Sequence, residues 1–170
     1  FNNLIQFRKL MKQFIFLFLL LPVFTLAQKK PLDHTVYDGW QRISDRVISN
    51  DGHWVAYTIS PQERDDTLVV LNAGSVENKI GIPRGTSPVI TADSRYLVFK
   101  INPFFKDIRQ SKIKKKKPDE MPLDSLGILE LSKSDIVKIA QLKSFKTPEK
   151  GAGWIAYIRE VKTKQKKDEV

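Results

Sequence analysis

Residues able to carry nucleophilic or metal chemistry are sparse in this sequence, and their spacing keeps them apart. There is no cysteine, and the two histidines are His34 and His53. Without cysteine there can be no thiol catalysis, no zinc–thiolate site and no disulfide stapling, so an ordinary core must hold the fold. His34 stands beside Asp33, yet side chains adjacent in sequence seldom converge on one substrate atom. His53 follows an Asn50-Asp-Gly52 turn and reads as a solvated turn residue rather than a ligand or base. Gly85-Thr-Ser-Pro88 is a loop serine with no base in view, and no Gly-x-Ser-x-Gly elbow occurs in the chain. Gly-rich phosphate loops, H-E-x-x-H helices and EF-hand loops are absent as well. Asp51 and Asp93 recur at equivalent positions and suggest ion ligands at first sight. Turn chemistry explains them better, because an Asp side chain accepts a hydrogen bond from backbone two residues on. The expectation is therefore no catalytic, cofactor-binding or metal residue, and no cofactor.

The elements that carry these residues are repeated. Ile48-Ser-Asn-Asp-Gly-His-Trp-Val-Ala-Tyr-Thr-Ile59 aligns without a gap on Ile90-Thr-Ala-Asp-Ser-Arg-Tyr-Leu-Val-Phe-Lys-Ile101, a period of 42 residues. A period of about 40–45 residues, with a tight turn entering an apolar strand, marks β-propeller blades. Gly153-Trp-Ile-Ala-Tyr-Ile158 is a third, partial copy, displaced by 58 residues from the second and so preceded by 16 extra residues.

The pattern predicts four short strands in the first blade: 47–49, 54–60, 68–71 and 78–82. The second blade is expected at 89–91, 96–101, 127–131 and 136–139, with a lysine-rich insertion at 102–126 that accounts for the extra residues. On the second strands Val55, Tyr57 and Ile59 share one face and Trp54 and Ala56 the other, matched by Leu97, Phe99, Ile101 and by Tyr96, Val98. Both faces are apolar, which suits sheets sandwiched between neighbours; a two-sheet sandwich or small barrel is the alternative. Trp54 and Trp154 share a repeat position and are expected to pack between blades, whereas Trp40 suits a rim.

Arg8, Lys9 and Lys12 precede the apolar run from Phe14 to Leu26, with Thr25 and Ala27 placed for signal peptidase. This pattern predicts a secretory signal peptide rather than a membrane span, with an uncleaved N-terminal anchor as the alternative. Met11 is a natural start for it. The expected organisation is a signal peptide at 1–27, a polar lead-in at 28–46, blade 1 at 47–87 and blade 2 at 88–142. Part of a third blade follows at 143–159, then a charged stretch at 160–170 that stops short of a closed ring. Residues 28–170 hold 26 Lys and Arg against 19 Asp and Glu, a net charge of +7. Much of it lies in Lys112 and Lys114 to Lys117 and in a second run at 162–167. Such runs are usually solvated, and nothing aromatic interleaves the first as base stacking requires.

Ile48-Ser-Asn-Asp-Gly-His-Trp-Val-Ala-Tyr57 resembles the S-P-D-G-x-x-[ILV]-[AV]-[FY] core of the TolB-like, PD40 (WD40-like) propeller repeat, with Asn50 and Ala92 where that repeat usually has proline. The context of residues 28–160 is similar to the N-terminal part of secreted serine peptidases of the prolyl oligopeptidase family in Gram-negative bacteria. The matching segments are Asp33-His-Thr-Val-Tyr-Asp-Gly-Trp40, Ile90-Thr-Ala-Asp-Ser94, Lys114-Lys-Lys-Lys-Pro-Asp-Glu-Met-Pro122 and Lys143-Ser-Phe-Lys-Thr-Pro-Glu-Lys150. The resemblance implies an all-β, incomplete β-propeller that gates peptide access to a C-terminal α/β-hydrolase domain carrying a Ser, Asp, His triad. That domain is not in these 170 residues, so no catalytic residue carries over. It further implies a peptide substrate for the parent protein, a secreted or periplasmic location, no nucleic acid and no membrane after signal cleavage. A periplasmic TolB-like module that binds a protein partner is the alternative, and binding of anionic polymer or lipid by the lysine run is a third reading. An open array of two and a half blades leaves strand edges and apolar faces uncovered, so residues 28–170 alone are expected to be poorly stable. A cooperative, monomeric unfolding transition for that segment would contradict this.

Overall fold

The computed structural model describes residues 5–8, 11–12, 34–151 and 153–160. Most of the expected signal peptide, the start of the lead-in and all but the first residue of the charged stretch 160–170 lie outside them. Residues 1–35 form a unit of their own, within which 5–8 and 11–12 are helical. Among the described residues no helix is long and apolar enough to cross a membrane.

The second unit is all-β, an incomplete propeller of two stacked antiparallel sheets. After a short 3-10 helix at His34–Gly39 come β1 (Gln41–Ile48), β2 (Trp54–Pro61), β3 (Thr67–Asn72) and β4 (Ser75–Pro83), paired in that order as a meander. The second sheet contains β5 (Gly85–Ile90), β6 (Tyr96–Ile101), β7 (Asp124–Glu130), β8 (Ile136–Lys146) and β9 (Ala156–Arg159). Strands such as Trp-Val-Ala-Tyr-Thr-Ile in β2 are built of aromatic and β-branched residues, which pack well on a pleated surface.

Several boundaries differ from the sequence pattern. β1 begins at Gln41 rather than Val47, because its polar first half still pairs with β2, from Gln41 opposite Pro61 to Ser44 opposite Thr58. Gly85-Thr-Ser-Pro88 is strand β5, not a loop. Each of these first strands carries a bulge that alternation alone does not reveal. The register slips between Ser44 and Val47 and between Thr86 and Val89, with Asp45 at φ 48° and Ser87 at φ 51°.

The stretch after Ile139 departs most from the expected strand pattern. Residues 142–146 continue β8, and β9 pairs with them as the fifth strand of the second sheet, Lys146 opposite Ala156 and Leu142 opposite Arg159. β8 is nonetheless composite. Gln141 has φ 63°, as Arg84 does at the β4–β5 junction. Its carbonyl accepts from Glu160 N–H at 2.9 Å, as that of Arg84 does from Asn102 N–H at 2.9 Å. The hairpin after Gln141 thus repeats the β5–β6 hairpin, fused to the strand before it.

The main core fills the space between the sheets. Ala56, Leu68, Val70 and Ile82 of the first meet Leu97, Phe99, Ile101 and Leu129 of the second, all buried. Complete burial of a side chain such as Leu97 or Phe99 contributes about 1.5–3 kcal/mol. On the far side of the second sheet Val98, Leu126 and Leu142 form a smaller cluster that covers this face at β6 and β7, while most of β8 and all of β9 are exposed. The far side of the first sheet is only partly covered: Val55, Tyr57 and Ile59 are half-buried, and Ile43, opposite Ile59, is 56% exposed.

Two glycines set the spacing. A Cβ at Gly127 would stand 2.4 Å from the ring of Phe99, its direct cross-strand partner, so the ring lies over bare backbone. A Cβ at Gly85 would stand 2.6 Å from Leu68 Cβ in the other sheet. Gly127→Ala and Gly85→Ala are each expected to destabilise the packed sheets by about 1–3 kcal/mol through overpacking. Gly39→Ala, with nothing within 4 Å of its added Cβ, is expected to stay within about 0.5 kcal/mol of the parent. Hydrogen exchange of the β6 and β7 amides measures this, and unchanged exchange in Gly127→Ala would refute it.

Candidate functional site

Because neighbouring strands are antiparallel and the two blades stack in register, connections segregate to opposite ends. One end holds tight turns and the longer 147–155 connection that enters β9. The other gathers the β2–β3 connection at 62–66, the β4–β5 junction at Arg84 and the insertion between β6 and β7. The insertion is shorter and more ordered than its sequence suggests: it contains helix α1 (Phe105–Ile113) and a 3-10 turn at Pro118–Glu120, and β7 already starts at Asp124.

This insertion is anchored on the neighbouring blade. Phe104, at the N-cap of α1, has no side chain able to accept a hydrogen bond, and Asp65 of the β2–β3 connection supplies the acceptor instead. Phe105 N–H donates to Asp65 Oδ1 at 2.7 Å, which satisfies an orphan helix donor and sets a carboxylate at the positive end of the helix dipole. The Arg84 guanidinium lies 4.0 Å from the centre of the Phe104 ring and donates to Asn102 O at 3.1 Å. Arg109 and Glu63 pair at 3.2 Å, but both are exposed and the pair adds little. Beyond this base Lys112 and Lys114 to Lys117 are all exposed, without an ion pair among the described residues. Sequence reasoning missed Asp65 and Arg84. Nothing local marks them, since their partners lie in a different blade.

At the same end a cavity of about 380 Å³ is lined by Trp40, Gln41, Arg42, Ser60, Pro61 and Gln62. Trp40 is half exposed and meets Tyr37 edge to face at 4.9 Å, in keeping with a rim position. Asp124, at the start of β7, has its carboxyl pushed up by burial, with nearby Lys100 opposing the shift.

The turn end holds the remaining candidates. Ser49 Oγ donates to Asp51 Oδ1 at 2.5 Å and accepts from Trp54 N–H at 2.9 Å, while His53 N–H donates to Asp51 Oδ1 at 3.0 Å. The second blade repeats this with Thr91, Asp93, Arg95 N–H and Tyr96 N–H. The Ser49 hydroxyl holds the Asp51 carboxyl down to about 2, and Thr91 likewise lowers Asp93. His53 Nδ1 lies 3.2 Å from Asp51 Oδ2. Serine, aspartate and histidine thus meet in one turn, but in the wrong order for catalysis: the aspartate stands between the other two, so no imidazole reaches the hydroxyl. Among the described residues no group of three or more His, Cys, Asp or Glu is placed to hold a metal. His34 lies in the 3-10 helix, and its side chain falls outside what is described. Trp54 packs against the main core as expected. Trp154 does not pack between blades; it is 60% exposed, because it precedes edge strand β9 and no further sheet among the described residues covers it.

No protein-family profile matches this chain, and no curated protein sequence matches it. Among solved structures it is similar to an acylaminoacyl peptidase in complex with Z-Gly-Gly-Phe-chloromethyl ketone, at TM-score 0.48 and 16% identity, over 68% of this chain and 16% of that one. It is also similar to the Pyrococcus horikoshii acylaminoacyl peptidase in its orthorhombic crystal form, at TM-score 0.49 and 14% identity, over 69% and 17% of the two chains. The β-propeller domain of the Trilobed protease from Pyrococcus furiosus aligns at TM-score 0.44 and 18% identity, over 64% and 30%. This chain therefore spans only a small part of the length of each.

If Asp65 is the trans cap of α1, Asp65→Ala is expected to loosen the insertion by about 1 kcal/mol, seen as roughly fivefold faster hydrogen exchange in α1 with β6 and β7 unchanged. Equal exchange in α1 before and after the substitution would show that Asp65 does not anchor it.

Proposed function

We propose that this chain is the noncatalytic propeller part of a secreted serine peptidase of the prolyl oligopeptidase family, and that it restricts peptide access to an α/β-hydrolase domain of the same protein. The observation that carries this reading is the pair of stacked blades whose turns share one side-chain design, Ser49 with Asp51 and Thr91 with Asp93. They occur in segments that resemble the TolB-like, PD40 propeller repeat, within a wider context similar to the N-terminal part of that peptidase family. Ser49, Asp51 and His53 bond among themselves in one of these turns, and on this reading the chemistry belongs to another domain. The role of the chain is then steric, and the anchored insertion supplies a stiff, basic projection at one end of the blades.

Two measurements test the proposal. The purified chain is expected to take no label from a fluorophosphonate probe for active serine hydrolases, and the coding sequence downstream of Val170 is expected to contain a Gly-x-Ser-x-Gly motif. Labelling of the chain itself would refute the noncatalytic role. A stop codon after a few more blades would instead support a TolB-like protein-binding module.

A further inference from the structure

The seam between the first two blades is closed by hydrogen bonds between repeat-equivalent turns. Asn50 Nδ2 donates to Ala92 O at 3.0 Å, and Asp51 N–H donates to Ser94 Oγ at 3.3 Å. At the bulges Ser87 N–H donates to Asp45 Oδ2 at 3.1 Å. The next seam, between the turn at 91–95 and residues 147–155, cannot be closed at its turns in the same way. Ala92 occupies the place of the donor Asn50, and the repeat equivalent of the acceptor Ser94 is Ala152. Among the described residues no hydrogen bond joins these two segments.

A cavity of about 310 Å³ lies there instead. Its lining includes Tyr96 and Trp154, which are repeat equivalents of one another, together with Ile128 and Ile155. Asp93 and Arg95 add opposite charges from exposed positions on the same lining. Asp93 is held in its ionised form by the Thr91 hydroxyl. Apolar and aromatic walls with a few polar groups, at a volume near the lower limit of about 300 Å³, describe a site for a small ligand or one side chain.

We propose that this cavity binds an aromatic side chain, presented by a peptide or as the free amino acid, with the adjoining amide or amine and carboxylate groups meeting Asp93 and Arg95. Aromatic walls favour an aromatic guest by offset or edge-to-face contact, and the paired charges match the polar groups that flank such a side chain. The inference stands on the seam alone and is independent of any peptidase role.

Calorimetric titration of the whole chain with N-acetyl-phenylalanine amide, free phenylalanine and N-acetyl-alanine amide tests it. Saturable binding of a phenylalanine compound and not of the alanine amide is expected. Preference for the amide identifies a peptide as the source, and preference for the free amino acid identifies the small molecule. Trp154→Ala removes an exposed wall and is expected to weaken binding by about tenfold. Ala92→Asn, which restores the donor that closes the first seam, is expected to weaken it by a similar factor while leaving Trp154 in place. Absence of binding by both phenylalanine compounds, equal binding of the alanine amide, or parental affinity in either variant would overturn the proposal.

Discussion

The packing of one sheet on the next is the constraint on which the rest depends. Ala56, Leu68 and Val70 present small and branched surfaces, and Leu97, Phe99 and Ile101 present larger ones. These are opposite faces of equivalent strands, so the blades stack head to tail, and each face is built for its neighbour rather than for itself. Close approach is possible because Gly85 and Gly127 leave room where any Cβ would collide. It is this approach that brings Asp45 to Ser87 and Asn50 to Ala92.

The polar end follows from the same contact. Once the sheets are in register, the β2–β3 connection of one blade lies beside the insertion of the next, and Asp65 reaches the first turn of α1. A lysine-rich segment that would otherwise gain little from ordering is thereby given a fixed base. The turn end obeys a different logic. There the Ser49 and Thr91 hydroxyls each bond the aspartate of their own turn, and Asp51 stands between Ser49 and His53, which is why a serine, an aspartate and a histidine can stand together without forming a catalytic relay.

Much of the fold was legible in the sequence. β6 runs from Tyr96 to Ile101 as the repeat predicts, and the shared positions of Asp51 and Asp93 foretold a shared turn. Strand ends were harder to read where polar residues pair. Gln41 to Ser44 look like a lead-in because nothing in their composition marks a strand, and only pairing with β2 makes them one. β8 runs on past Ile139, where the pattern ends a strand, since a single left-handed residue, Gln141, joins two strands that the pattern treats as separate.

What the sequence by itself determined is local: the repeat, the alternating faces and the turn chemistry, all set by contacts within a few residues of one another. Tertiary structure decided what depends on distant partners. It joined Asp65 to Phe105 and Arg84 to Phe104, closed the first seam through Asn50 and Ala92, and exposed Trp154 where its equivalent Trp54 is packed. The physical reason is that a residue's type fixes what it can bond to, whereas its neighbour across a sheet or seam is set by register and spacing, which arise only when the sheets pack.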